Sequence, residues 1–267
     1  MRPRPSPPTA RRKTKRSRGR SQPSARPPAI SYCIFDLDDT LYDCFGQRVR
    51  LAHRHAASAL ARAGVPATKE HIFRVRMQAF KKNPHLEAID REVCRRFGVP
   101  FREELHQIAR EAYFATPVTR LRLFPGARRM LRSLRRRGVL NFIASYGVPS
   151  IQRDKVRALN LNHEPAVEKI FFADTGKIVT KDALFRSLLR QRGGEASRFL
   201  VVGDRPSSEI RAGKRLGMHT VRLRHGEFVR LEPAGAREKA DFEIRRVTDV
   251  LNLPYSFGRT GRRGNHR

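Results

Sequence analysis

The chain has 267 residues, 39% of them apolar, and no Trp. That excludes a wholly disordered chain, and it leaves room for one large domain, or a core domain with an insert, that needs no disulfide or metal to hold it. Its 57 Lys and Arg against 25 Asp and Glu give a formal net charge of +32, and no stretch approaches the roughly 18–20 apolar residues of a membrane-spanning helix.

Residues 1–29 open the chain as a Pro-, Ser- and Arg-rich segment. The first thirty residues hold ten Lys or Arg and no acid. They lack the continuous apolar stretch of a signal peptide and cannot bury enough apolar surface to offset their ordering entropy. This predicts a disordered basic tail. Its charge suits non-specific contact with nucleic acid phosphates, or it is simply a solvated extension. Cys33, Cys44 and Cys94 are odd in number and show no CxxC spacing. They point to a reducing compartment, the cytoplasm, and not to a disulfide framework or a zinc site.

Ile30 to Leu37 is a nearly continuous apolar run, as expected of a strand buried on both faces of a parallel sheet. It leads into Asp36-Leu37-Asp38-Asp39-Thr40. From about Phe45 to Val118 the apolar positions fall at helical spacing instead. Val49, Ala52, Ala56 and Leu60 share one face; Leu86, Ile89, Val93 and Phe97 another; Leu105, Ile108, Ala112 and Tyr113 a third. Gly64-Val65-Pro66 and Gly98-Val99-Pro100 interrupt the run. Four helices are expected, forming an all-helical unit over 45–118 inserted into a second domain made of 30–44 and 119–254.

Beyond Leu121 strands and helices alternate. A helix follows Phe124-Pro125-Gly126 and ends near Gly138, with basic residues where the helix dipole favours them. Strands are expected at Val139–Ala144, Lys169–Ala173, Phe199–Val202, His219–Leu223 and Asp241–Ile244. Helices are expected at Pro149–Leu159, Lys181–Gln191 (capped by Thr180) and Pro206–Leu216. The pattern predicts an α/β, doubly wound, Rossmann-like parallel sheet. Residues 255–267 read as a basic, frayed C-terminal tail.

In so basic a chain, clustered acids are informative. Asp36 and Asp38 follow one buried strand, two residues apart, and point the same way in extended backbone. Asp204 and Glu209 follow another. Ligands of open parallel sheets bind beyond the carboxyl ends of the strands, so both pairs are expected at one edge. Two carboxylates about 4 Å apart at an effective dielectric near 20 repel by roughly 4 kcal/mol. Several together call for a cation, and all-oxygen donors point to Mg²⁺, not to iron or zinc. Ser145, ending the Ile143-Ala144-Ser145-Tyr146-Gly147 strand, offers a hydroxyl, and the turn at Tyr146 offers backbone N–H groups. Lys181, at a helix start, offers a charge for phosphate oxygens. The set suits phosphoryl transfer by positioning and electrostatics.

These four segments, in this order, resemble the motifs of the haloacid dehalogenase-like superfamily. Ile34-Phe35-Asp36-Leu37-Asp38-Asp39-Thr40-Leu41 is similar to the first, and Ala144-Ser145-Tyr146-Gly147 to the second, with Ser where many members carry Thr. Lys181 is similar to the third. Gly203-Asp204 with Glu209 is similar to the fourth, with Glu in place of the more usual Asp. The resemblance covers roughly Ile30 to Leu253 and makes the helical insert the family's cap.

The resemblance implies a phosphatase. Asp36 would be the nucleophile, and Asp38 would protonate the leaving alcohol and then activate water. Asp36, the carbonyl of Asp38, Asp204 and Glu209 would hold Mg²⁺. Ser145, Tyr146, Lys181, Leu37 and Thr40 would surround the transferring phosphate of a small phosphomonoester. Dehalogenases of the family lack the second aspartate, because halide leaves without a proton; an alkoxide needs one, so Asp38 favours phosphatase over dehalogenase. Simpler readings compete. Asp39-Thr40 suits turn chemistry, Glu209 suits a helix N-terminus, and Lys177 in Thr175-Gly176-Lys177 is a rival for Lys181. His53 and His55 read as surface histidines. Tyr42 and Asp43, where the chain leaves the first motif, are candidates for the substrate entrance. The competing functional class is a nucleic-acid-associated protein dominated by its basic tail.

Overall fold

The computed structural model describes residues 27–174 and 180–258. The N-terminal tail up to residue 26, the C-terminal residues from 259 and Lys177 lie outside the described residues.

The expected first strand divides in two. Ala29–Ile30 (β1) leaves the main sheet and pairs in parallel with Ser256–Phe257 (β8), whereas Tyr32–Phe35 (β2) enters the main sheet. The frayed end expected after Tyr255 is therefore anchored for two residues. Ser31 makes the crossover, its N–H bonding the Arg198 carbonyl at 3.0 Å.

The main sheet is completed by Leu140–Gly147 (β3), Val167–Asp174 (β4), Phe199–Gly203 (β5), His219–Leu223 (β6) and Phe242–Ile244 (β7). Its order is β4-β3-β2-β5-β6-β7, and every pairing is parallel. Counted from β2 this is 3-2-1-4-5-6, the Rossmann order, in which the direction of winding reverses at the first strand. The chain is thus an α/β doubly wound fold. The apolar runs carry two faces: Cys33, Phe35, Ile143, Leu200 and Val202 face one core, while Ile34, Phe142, Ala144, Phe199 and Val201 face the other. Burial on both sides is why these strands do not alternate in hydrophobicity.

Four helices follow β2 as the helical insert: Arg50–Arg62 (α1), Lys69–Lys82 (α2), Leu86–Arg96 (α3) and Glu103–Phe114 (α4). A π-helical turn, Phe45–Val49, leads into them. They bury Ala56, Leu60, Ile72, Val75, Val93 and Leu105 in a core of their own. Ile108 is exposed, and Ala109 takes the inward position instead. His53 is not on the surface: it is 0% exposed, its ring edge-on to Phe80 and Tyr113.

The remaining helices are Ala127–Arg136 (α5), Pro149–Ala158 (α6), Lys181–Gln191 (α7) and Arg211–Arg215 (α8), the last entered through a π-helical turn at Pro206–Ile210. Helix α5 buries Ala127, Met130, Leu131 and Leu134 and points its other face, rich in Arg, to solvent. Thr180 caps α7 as expected, its hydroxyl accepting the Ala183 N–H at 3.2 Å.

Candidate active site

Strand β2 is the strand at which the winding reverses, and Asp36 follows it directly. The Asp36 N–H bonds the Val202 carbonyl of β5 at 2.9 Å, so sheet pairing itself fixes where the Asp36 carboxylate begins. Asp204 follows β5, the neighbour of β2, and Lys181 opens α7. These elements meet at the rim of a cavity of about 300 Å³, lined by Asp36, Asp38, Lys181, Asp204 and Glu209 below and by the start of the helical insert above.

Lys181 is buried and its ammonium donates to both Asp36 and Glu209. The ion pairing holds Lys181 protonated and overrides the burial that opposes its charge. Glu209 also accepts the Arg205 N–H at 3.3 Å. Burial raises its carboxyl, but Lys181 wins and the net shift is downward. Asp36 goes the other way. Burial pushes its carboxyl up to about 7; Lys181 opposes this, and Glu209 and Asp38 add to it. Asp204 is likewise raised well above the ordinary carboxylate range, first by burial and then by Glu209, Asp36 and Asp39.

Carboxylates that raise one another's affinity for protons are also a site for a divalent cation, which relieves the same repulsion. The donors are all oxygen, from Asp36, Asp204 and Glu209 with the nearby backbone, and this fits Mg²⁺. Among the described residues, the group whose ligand atoms lie within 4.8 Å of one another is a different one, Asp39, Asp43 and His225; Lys181 stands between Asp36 and Glu209. The oxygens of Asp39 and Asp43 serve backbone instead: Asp39 accepts from the N–H groups of Phe45 and Glu227, and Asp43 from that of Gly46. Asp39 has φ 55° and ties the entry to the helical insert to the loop at Gly226, so its role is turn chemistry.

Asp38 faces a different set of donors. Lys155 Nζ lies 2.6 Å from Asp38 Oδ2, Gln152 Nε2 lies 3.0 Å from the same oxygen, and the Tyr42 hydroxyl donates to Oδ1 at 2.8 Å. Burial would raise this carboxyl, but Lys155 and the two hydrogen bonds pull it down to about 2. Asp38 is therefore held ionised.

Several expected positions fall elsewhere. Ser145 is 0% exposed and its hydroxyl is 2.7 Å from Gln152 Nε2; it supports Gln152 and does not line the cavity. Thr40 is buried under Asp36, with Oγ1 3.4 Å from Oδ2, and the Leu37 side chain belongs to the core. Tyr146 does line the cavity. Tyr42 lies beneath Asp38 and not at an entrance, and Asp43 caps the turn that follows it. Lys155, Gln152, Arg48 and Glu227 line the cavity without having been singled out in the sequence. Burial, reinforced by Asp39, raises the Glu227 carboxyl to about 7. The one signal for Gln152 and Lys155 was their spacing of three on α6, which a reading of basic residues at helix ends assigns to the surface.

The sequence profile of the haloacid dehalogenase-like hydrolases matches residues 30–217, and the chain belongs to that family. Within it, the relatives the chain resembles are phosphatases. The chain is 28% identical to the glyceraldehyde 3-phosphate phosphatase of Methanopyrus kandleri over 228 residues, covering 84% of this chain and 97% of that one. It is 32% identical to the enzyme of the same name from Pyrococcus abyssi, covering 84% and 93%. The fold is also that of a predicted phosphoglycolate phosphatase from Haemophilus somnus, with TM-score 0.64 at 18% identity, covering 84% and 97%.

Proposed function

We propose that the chain is a Mg²⁺-dependent phosphatase that hydrolyses a small phosphomonoester through an aspartyl-phosphate on Asp36, with residues 45–118 as a cap over the core formed by 30–44 and 119–254. The observation that carries this is the placement of Asp36: buried at the reversal point of the sheet, aimed into the cavity, and flanked by Lys181, Asp204 and Glu209. Asp36, Asp204 and Glu209, with the Asp38 carbonyl, would hold the metal. Bound there, Mg²⁺ supplies positive charge to the phosphoryl oxygens.

An Asp36 carboxylate oxygen attacks phosphorus as the phosphorus–ester oxygen bond breaks. The bonding pair leaves with that oxygen, which takes a proton from Asp38. Water then attacks the same phosphorus, gives its proton to Asp38, and the Asp36 carboxylate departs. Lys181 orients Asp36 and neutralises phosphoryl charge. The clamp of Lys155, Gln152 and Tyr42 presents Asp38 as a base, ready for the second half; for the first half Asp38 takes up the proton of an incoming phosphate monoanion, and the proton it later takes from water leaves with the phosphate product. The helices of the cap exclude bulk water from the closed site. The three cysteines are free and buried, which suits a cytoplasmic enzyme. No described helix is long and apolar enough to cross a membrane.

Asp36→Asn tests the reading. It should reduce Mg²⁺-dependent release of phosphate from an aryl phosphate by at least about a thousandfold with circular dichroism unchanged; retained activity refutes the mechanism. Glyceraldehyde 3-phosphate, the substrate in the name of the relatives, belongs in the substrate panel.

The charge of residues 1–29 supports a second, separable activity, non-specific contact with nucleic acid phosphates. Removing them should weaken RNA or DNA binding and flatten its dependence on salt. Binding that ignores either change sinks that reading.

A further inference from the structure

The floor of the cavity is acidic, but its roof carries a cation with nothing to answer it. Arg48 lies in the π-helical turn that opens the helical insert, is 4% exposed, and lines the cavity above Asp36 and Asp38. Neither its Nε nor its Nη2 has a hydrogen-bond partner. The other buried cations among the described residues are all answered. Arg76 faces Asp90, Lys155 faces Asp38, Lys181 faces Asp36 and Glu209, and Arg222 faces Glu243. The Arg48 guanidinium has the Tyr113 ring, 5.8 Å from its carbon to the centroid, and among the described residues no anion within ion-pair distance. Lys155, a positive group close enough to repel it, is already committed to Asp38.

A buried charge without a partner is costly, and a protein keeps one where something else supplies the counter-charge. We infer that Arg48 binds a second anionic group on the substrate, a carboxylate, so that the enzyme acts on small phosphorylated carboxylic acids. The guanidinium fork matches a carboxylate in plane and spacing. A cavity of about 300 Å³ leaves room for a short carbon skeleton between the phosphate over Asp36 and the acid at Arg48. An aldehyde would offer Arg48 an acceptor but no charge. This inference rests on the phosphatase reading and narrows it: the acid, not the aldehyde of the same skeleton, is the preferred substrate.

The test compares 3-phosphoglycerate with glyceraldehyde 3-phosphate, which differ only in carboxylate against aldehyde. With Mg²⁺ present, the wild-type kcat/KM should favour the acid roughly 10- to 100-fold, as expected for charge-assisted hydrogen bonds. Arg48→Met should bring the ratio near one, and Arg48→Lys should restore part of it. A wild-type ratio of one or below, or a ratio that survives Arg48→Met, overturns the inference while leaving phosphatase activity standing. Calorimetry with phosphonoacetate and ethylphosphonate repeats the comparison without turnover. A preference for phosphonoacetate that depends on Arg48, in a protein that hydrolyses neither ester, would overturn the phosphatase reading alone. No preference in either assay overturns the role of Arg48, and the wild-type ratios decide this even if Arg48→Met fails to fold.

Discussion

Lys155 and Asp38 lie 117 residues apart in sequence and 2.6 Å apart in space, Nζ to Oδ2. The contact joins α6 to the segment after β2, and Gln152, one turn earlier on α6, contacts the same carboxylate oxygen. Their shared acceptor makes α6 a positioning element for Asp38.

Replacing that ammonium has two consequences. Lys155→Met leaves Asp38 without its cation in a largely buried site, so the fold should lose about 2 kcal/mol at pH 7, measured by urea unfolding. The sign follows from a depressed carboxyl. Its contribution is complete above the ordinary aspartate value near 3.8 and disappears as pH falls through about 2. Turnover should fall at least about tenfold with a smaller change in KM, because the proton-transfer group loses its orientation. An unchanged kcat would show that Asp38 needs no clamp.

Gly203 ends β5 against the side chain of Glu209. A Cβ at that position would sit 2.6 Å from Glu209 Cγ and 2.7 Å from its Cβ. Gly203→Ala should therefore displace Glu209 from Lys181, raise the Mg²⁺ concentration needed for half activity and lower kcat/KM by about tenfold or more. A Mg²⁺ titration that overlays the wild type would show that Glu209 has no part in the site.

His53 is buried with neither ring nitrogen hydrogen-bonded, and burial, then the charge of Arg76, pushes its pKa down to about 3. In the unfolded chain it titrates near 6.5. Between those values the unfolded state holds the extra proton. Stability is therefore complete above about pH 6.5 and falls as the solution is acidified, by up to about 1.4 kcal/mol per pH unit. Urea midpoints between pH 7 and pH 4 should drop more steeply for the wild type than for His53→Leu; parallel curves would contradict the assignment.

Within the helical insert, Asp90 accepts from Arg76 and lies 2.8 Å from His106 Nδ1. Asp90→Asn leaves the buried Arg76 guanidinium without its counter-charge. A loss of about 3 kcal/mol is expected, read from chemical denaturation. A loss below about 1 kcal/mol would mean that His106 and its neighbours repack around the neutral amide.

Much of this protein was legible in its residues alone. The strands β2, β3 and β5 are buried on both sides, so each reads as an apolar run wherever it lies. The acids that end β2 and β5 stand out because acids are scarce in a chain of charge +32. Asp36, Asp38, Asp204 and Glu209 were visible for that reason, and Lys181 for its place at the start of a helix. Ser145 was read as the end of a strand, which runs on to Gly147, and its hydroxyl, expected to meet phosphate, accepts from Gln152. His53 looked like a surface residue, because helical spacing does not reveal that a second helix and an aromatic pair enclose the ring.

Periodicity and local chemistry determined the strands, the helices and the acidic turns, since those depend on neighbours along the chain. Only the tertiary structure decided which charges are answered. The helix after β3 delivers Lys155 to Asp38, while the turn after Cys44 leaves Arg48 buried without a counter-charge. Two positively charged side chains with similar local sequence acquire opposite circumstances, because burial and pairing depend on which distant elements the folded sheet brings against them.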